Sequence, residues 1–254
     1  MILAIDVGNT NIVLGCIDEN TTYFVARIVT DREKTTDEFA IIFKNIIEMN
    51  GISLDEIQGS IVSSVVPPLN AVLRGAVETV LGRIPLFIGP GIKTGLNILI
   101  DNPAQLGSDL VVDAVAAIHA YEKPLIIIDM GTATTFSVVD QKGNYLGGVI
   151  CSGLKISLDA LTARTSQLQS IGLEPPKSVI GCNTVDCMKS GAIYGGASML
   201  DGMIDRIQEE MGQKAIVVAT GGLGKFVVPY CKHPIIYDDA LLLKGLWLIY
   251  KKNS

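Results

Sequence analysis

The sequence predicts an α/β protein made of two copies of one domain that face each other around a cleft. Three observations point there. The signature I-D-x-G occurs as Ile5-Asp6-Val7-Gly8 and again as Ile128-Asp129-Met130-Gly131, with its aspartates 123 positions apart (129 minus 6). Each copy ends an apolar run and turns into two further runs of strand character. The spacing is close to half of the 254-residue chain, as duplication of one α/β unit would give. No Gly/Ser-rich linker intervenes, so the halves 1–117 and 118–254 are expected to pack closely.

The elements follow in order from local chemistry. Met1–Val7, Ile12–Asp18 and Tyr23–Val29 read as strands, and Gly8-Asn9-Thr10-Asn11 between the first two is turn chemistry. Thr36 is the expected cap of a helix in which Phe39, Ile42, Phe43, Ile46 and Ile47 recur at helical spacing. Ile61–Val66 is an apolar strand, and Pro67-Pro68 opens a helix reaching Leu81. Pro85–Ile88 follows, then a loop-rich stretch from Gly89 to Gly107. A helix over Ser108–Tyr121 leads into the second half. There the pattern restarts with strand Pro124–Asp129, turn Gly131-Thr132-Ala133-Thr134, and strands Thr135–Asp140 and Asn144–Ile150. Helices over 153–164 and 186–210 come next, then strand Lys214–Thr220. Gly221-Gly222-Leu223-Gly224 introduces another helix, and Ala240–Lys251 closes the chain as a helix.

Composition bounds the function. With 48% hydrophobic and 18% charged residues the chain can build a core, and its make-up is far from that of a disordered one. A net charge of −6 without any Lys/Arg block argues against a nucleic-acid partner. Apolar runs such as Leu125-Ile126-Ile127-Ile128 fall far short of the roughly 20 residues that span a bilayer. Met1 to Asp6 meets a carboxylate too early for a signal peptide. A cytoplasmic protein with no membrane partner is expected. Cys16, Cys151, Cys182, Cys187 and Cys231 are odd in number and never spaced C-x-x-C, so they read as reduced, buried thiols. His119 and His233 are too few for a metal site and read as structural.

The duplicated turn suits phosphate chemistry. Its glycine lets backbone N–H groups approach an anion, and Thr10, or Thr132 and Thr134, adds hydroxyl donors. The aspartate repels phosphate and so holds a cation, Mg²⁺ by preference, which carries the phosphates. One D-x-G would be an ordinary hairpin turn. Two in register make a clamp for a triphosphate. A third element, Ala219-Thr220-Gly221-Gly222-Leu223-Gly224, sets a glycine pair at a strand-to-helix junction, where a flat or anionic ligand can approach the backbone. It matches neither the Walker loop nor G-x-G-x-x-G.

These signatures resemble the actin-like ATPase superfamily, which pairs two ribonuclease-H-like domains around ATP. The closer resemblance, covering nearly the whole chain, is to type III pantothenate kinases. It rests on D-x-G-N-T-N at 6–11, S-x-V-P at 64–67, T-G-L-N-I at 94–98, D-N-P at 101–103 and G-x-D at 107–109. It continues through I-D-x-G-T-A-T-T-F at 128–136, L-G-G-V-I at 146–150, P-K-S-V-I-G-x-N-T at 176–184, K-S-G at 189–191 and A-T-G-G-L at 219–223. The resemblance implies phosphorylation of pantothenate to 4'-phosphopantothenate with ATP, the first step of coenzyme A biosynthesis. It implies phosphate contacts from Asp6, Gly8, Asn9, Thr10 and Asn11, with Asp6 on Mg²⁺. Gly131, Thr132, Ala133 and Thr134 would form the second phosphate site, Gly221 and Gly222 would lie near adenosine, and Asp129 would hold K⁺ or NH₄⁺. Gly107, Ser108, Asp109 and Leu110 match the family's G-A-D-R, whose aspartate is the catalytic base. Asp109 read without the resemblance is also a helix-capping residue, and the two roles are compatible.

The match has two departures. Leu110 replaces the arginine that would pair with the substrate carboxylate, and Ile100 replaces the aromatic residue before D-N-P. Lys189 is a candidate for the missing charge. Thr184 is retained; its family counterpart contacts pantothenate across a dimer interface, which implies a homodimer with shared substrate sites. Three readings follow: an active pantothenate kinase, a related kinase with a shifted substrate, and a non-catalytic nucleotide-binding relative with a regulatory role.

Overall fold

The computed structural model describes residues 1–254. It divides into two compact units, one of residues Met1–Leu96, Asp101–Ala116 and Ala240–Ser254, the other of Asn97–Ile100 and Ala117–Asp239.

The first unit is built on a five-stranded sheet ordered β3-β2-β1-β4-β5. Strands β1 (Ile2–Val7), β2 (Asn11–Ile17) and β3 (Thr22–Val29) form an antiparallel meander, and β4 (Ser60–Ser64) and β5 (Leu86–Phe87) run parallel to β1. Alternation along β1 sends Leu3, Ile5 and Val7 to one face, against Phe39, Phe43 and Ile47 of α1 (Thr36–Met49) and Leu73, Ala76 and Val77 of α2 (Asn70–Leu81). Ile2 and Ala4 face the other way, against Val112 of α3 (Ser108–Ala120) and Leu243, Leu246 and Ile249 of α7 (Leu241–Asn253). Asp6 shares their parity and belongs to that second face.

Local chemistry shifts some expected boundaries. The cap of α1 is Thr35, not Thr36: Thr35 Oγ1 accepts the Glu38 N–H, and Glu38 Oε2 accepts the Thr35 N–H at 2.8 Å. The pair is a full capping box, which a threonine one residue later could not form with Glu38. Pro67-Pro68 makes a 3₁₀ turn before α2 starts at Asn70. The two units meet in sequence within α3, and the last helix belongs to the first unit. Its apolar stripe is buried on β1 and β4, a destination that helical periodicity does not encode.

The second unit repeats the first around a six-stranded sheet ordered β11-β10-β7-β8-β9-β6. Strand β7 (Leu125–Met130) has the same residue-by-residue burial as β1, and β8 (Ala133–Val139) the same as β2. Strand β9 (Asn144–Ser152) completes the meander, and β10 (Ile216–Thr220) lies parallel to β7 as β4 does to β1. Ile126, Ile128, Met130 and Phe136 pack on Ile193, Ala197, Leu200 and Ile204 of the long helix α5 (Thr184–Met211). Helix α4 (Leu154–Arg164) precedes it, and α6 is a four-residue piece, Gly224–Val227, cut short by a 3₁₀ turn at Val228–Tyr230. The two-residue strands β6 (Asn97–Ile98) and β11 (Ile236–Tyr237) edge the sheet; they are too short for any periodic signal. No helix is long and apolar enough to cross a membrane.

The repeated turns differ in one respect. Val7 pairs with Ile12, whereas Met130 pairs with Thr134, so the second turn is one residue shorter. Ile12 and Thr134 therefore occupy equivalent places, as do Val13 and Thr135.

Candidate active site

In the first unit, the turn after β1 is held from several sides. The Gly8 N–H donates to Asn11 O at 3.0 Å, and a Cβ on Gly8 would stand 3.2 Å from that same oxygen. Thr30 Oγ1 donates to Gly8 O at 2.6 Å, and the Thr30 N–H to Thr10 O at 3.0 Å. Arg32 Nη2 donates to Asn9 Oδ1 at 3.0 Å. The turn that follows β3 thus brings a guanidinium to a turn that has no cation of its own. Asn9 and Thr10 are exposed.

Asp109 enters at the same end of this sheet. Asp6 pairs with Ser63 across β1 and β4, and Ser63 Oγ lies 3.0 Å from Ser108 Oγ, in the first turn of α3. Ser108 Oγ also accepts the Ser64 N–H at 3.1 Å and donates to Ser64 O at 3.2 Å. These bonds pin the start of α3 to the end of β4. Asp109 Oδ1 accepts the Leu110 N–H at 2.9 Å and sits where a Cβ on Gly107 would collide with it. Only glycine fits at 107 with the carboxylate so placed. Burial pushes the Asp109 carboxyl above the usual carboxylate range, with the N–H groups of Leu110 and Asp109 pulling it partly back. A half-buried carboxylate whose pKa is raised is suited to accept a proton from a hydroxyl. Leu110 is half-buried beside it.

In the second unit, Gly131 closes the shorter turn through its N–H to Ala133 O at 3.0 Å. A Cβ on Gly131 would stand 3.5 Å from Asp129 Oδ2, so the carboxylate lies over the turn. Gly221 has φ +86°, and a Cβ there would collide with Asp129 Oδ1 and the Met130 backbone. Thr220 pairs with Asp129, the Leu223 N–H donates to Met130 O at 3.2 Å, and the Tyr237 hydroxyl donates to Gly221 O at 3.0 Å. The glycine pair and the Asp129 turn therefore form one surface, with Thr132 exposed upon it.

Two threonines of this segment divide by parity. Thr134, expected among the phosphate ligands, has its side chain buried on the α5 face with Met130 and Cys151. Thr135 pairs with Asp129 across the strands, and its Oγ1 is buried without a hydrogen-bond partner. An orphaned hydroxyl oxygen facing the side of a carboxylate fits a bound cation, which would take oxygen ligands from both. Its signal lay within T-A-T-T-F, but only the strand register separates the roles of the two threonines.

Other expected residues lie apart from these turns. Thr184 is the exposed first residue of α5, capped by Asn183 Oδ1, which accepts the Asp186 N–H at 2.9 Å. Ile100 lies 3.9 Å from where a Cβ of Gly147 on β9 would stand. Lys189 Nζ already donates to Glu174 Oε2 at 2.7 Å, so its charge has a partner. Cys182 and Cys187 are exposed, in contrast to the buried thiols expected, because both flank the start of α5 rather than its apolar stripe.

Fold and site together suit an ATP-dependent phosphotransferase built on two copies of one α/β unit. Residues 2–206 match the type III pantothenate kinase family, and the chain belongs to that family. It is 46% identical over 254 residues, the whole of both chains, to a type III pantothenate kinase of Moorella thermoacetica. Among solved structures it is similar to a protein of Campylobacter jejuni described as a Baf family transcriptional activator, with a TM-score of 0.60, 20% identity, and 99% and 98% of the two chains covered. It is also similar to component A of (R)-2-hydroxyglutaryl-CoA dehydratase from Acidaminococcus fermentans, with a TM-score of 0.58, 14% identity, and 99% and 98% covered. These two likenesses are of fold.

Proposed function

We infer that the chain transfers the γ-phosphate of ATP to the 4'-hydroxyl of pantothenate, the entry step of coenzyme A biosynthesis. The observation that carries this reading is the half-buried carboxylate of Asp109, held over Gly107 at the strand end that also bears Asp6. The substrate hydroxyl oxygen forms a bond to the γ-phosphorus while the bond to the β-phosphate oxygen breaks, its electron pair leaving with ADP. The hydroxyl proton passes to Asp109. Asp6 would hold Mg²⁺, and the Asn9–Thr10 and Gly131–Thr132 turns would hold phosphate oxygens, with Arg32 adding positive charge at the first. Mg²⁺ held there would offset the charge that develops on the phosphate oxygens. Asp129 with Thr135 would hold a monovalent cation, K⁺ or NH₄⁺, which supplies further charge compensation where neither turn contains a lysine or arginine. Thr184, exposed at the start of α5, supports a homodimer in which it completes the substrate site of a second copy, working in the cytoplasm.

One observation favours a second reading, in which the pocket has moved to an uncharged substrate. Leu110 offers the pantothenate carboxylate no cation, and Lys189 is engaged by Glu174. A coupled ADP-release assay with and without pantothenate, with mass detection of 4'-phosphopantothenate, separates the two. Pantothenate-dependent ADP release with stoichiometric product supports the first. ADP release indifferent to pantothenate but raised by a neutral alcohol would move the assignment to the second.

A further inference from the structure

The glycine pair of the second unit is held by a tyrosine from the edge of the sheet. Gly221 sits at φ +86° against Asp129 Oδ1 and the Met130 backbone, which settles where its Cα lies. The direction of its carbonyl is set from the other side. Tyr237 on β11 donates its hydroxyl to Gly221 O at 3.0 Å, and the Gly224 N–H donates to the same oxygen at 3.1 Å. The Gly221–Gly222 amide is planar and trans, so its N–H points opposite to its carbonyl. Holding the Gly221 oxygen toward Tyr237 therefore turns the Gly222 N–H away from β11. Tyr237 is itself seated from several directions. Its backbone pairs with Ala219 of β10, and the Asp238 N–H donates to Ala219 O at 2.8 Å. The Asp238 carboxylate, 8% exposed, accepts the Tyr121 hydroxyl at 2.9 Å. The Tyr237 ring lies against Gly224, where a Cβ would stand 2.6 Å from Cε2. One glycine admits the ring and the other receives its hydroxyl.

We propose that Tyr237 is a positioning residue for the nucleotide, acting through the Gly221 carbonyl to fix the orientation of the Gly221–Gly222 peptide. The proposal rests on the assignment of that glycine pair to the adenosine side of ATP. A peptide between two glycines is the softest kind in a chain, because neither Cβ opposes its rotation. Rotated the other way, it would present a carbonyl oxygen to the nucleotide in place of an N–H donor. The Gly224 N–H alone gives that oxygen one partner, and the Tyr237 hydroxyl gives it a second on a side chain wedged against Gly224. The tyrosine thereby keeps the backbone ready for the ligand before it binds, which lowers the ordering cost of binding. It touches neither Asp109 nor the acceptor hydroxyl, so its effect falls on nucleotide affinity and leaves phosphoryl transfer as it is.

The test is Tyr237→Phe in the intact protein, which keeps the ring against Gly224 and removes only the hydroxyl. The Michaelis constant for ATP should rise by about three- to ten-fold, the scale of one hydrogen bond. Turnover and the Michaelis constant for pantothenate should stay within about two-fold. Calorimetric titration with the non-hydrolysable analogue AMP-PNP should show the same loss of affinity without requiring turnover. Placing 4-aminophenylalanine at position 237 returns an N–H donor to the ring and should restore affinity, which a mere packing role would not predict. Gly224→Ala puts a Cβ where the ring lies and should repeat the loss; it decides the matter if Tyr237→Phe fails to fold. Unchanged AMP-PNP affinity in Tyr237→Phe would overturn the proposal. So would equal rises in both Michaelis constants, or an amino analogue that restores nothing. If the wild type binds AMP-PNP yet releases no ADP with pantothenate, the substrate reading fails, and the titration still decides the role of Tyr237. A wild type that binds no AMP-PNP would overturn both.

Discussion

At the scale of single residues, Asp109 illustrates how a site can weaken the fold that carries it. Burial raises its pKa, so the folded chain binds this proton more tightly than the unfolded chain does. Below the unfolded value, near 3.8, both states are protonated and the group is neutral to stability. As pH rises through the raised folded value, ionisation inside the protein becomes a full penalty. Asp109→Asn should therefore melt at or above the wild-type temperature at pH 7, with the gap closing toward pH 4, as calorimetry across that range would show. Its turnover should fall by about 10²–10⁴, with ATP affinity kept within a few-fold. Wild-type kcat/KM should fall on the acid side at a pH above the ordinary aspartate range. Gly221→Ala should fail differently: its Cβ meets Asp129 Oδ1 at a backbone φ of +86°. A cost of about 1–3 kcal/mol and loss of nucleotide binding are expected by denaturant titration and calorimetry.

At the scale of elements, the ties between secondary structures set the geometry of the chemistry. Ser108→Ala removes three bonds that join α3 to the end of β4. The cost should be about 1–3 kcal/mol, since the Ser64 N–H loses its partner. Turnover should fall more than ATP affinity does, because the altered part is the mount of Asp109. Equal losses in both would remove that positioning role. Thr135 makes a comparable point on β8. If its orphaned hydroxyl serves a cation beside Asp129, Thr135→Val should abolish the rise in melting temperature caused by K⁺, and Thr135→Ser should keep it. A K⁺ response unchanged in the valine variant would sink the cation assignment.

At the scale of the whole molecule, the open matter is how pantothenate's carboxylate is met. Leu110 belongs to the first unit and Ile100 to the second. Restoring the family pair through Ile100→Tyr and Leu110→Arg should lower the Michaelis constant for pantothenate. A charge-assisted bond contributes about 1.5–3 kcal/mol, or roughly 10–100-fold. If the double variant binds worse, another cation already fills the role, and Lys189→Met tests the first candidate. Because Lys189 is held by Glu174, Glu174→Gln should strengthen binding if Lys189 is that cation.

The duplicated architecture was legible in the sequence because its causes are local. Period-two apolar runs, turn residues after Asp6 and Asp129, and helical spacing after Thr35 all act over a few residues. The candidate carboxylates and glycines were legible for the same reason, since D-x-G is itself a piece of turn chemistry. Tertiary structure alone decided what distant residues do to one another. It placed Arg32 on Asn9, joined Ser108 to Ser63, and returned the last helix to the first sheet. It also separated Thr134 from Thr135, because a turn one residue shorter sets which of two adjacent hydroxyls faces the core. Contacts of that kind depend on register and on the packing of residues far apart in the chain, and no periodicity within a single element records them.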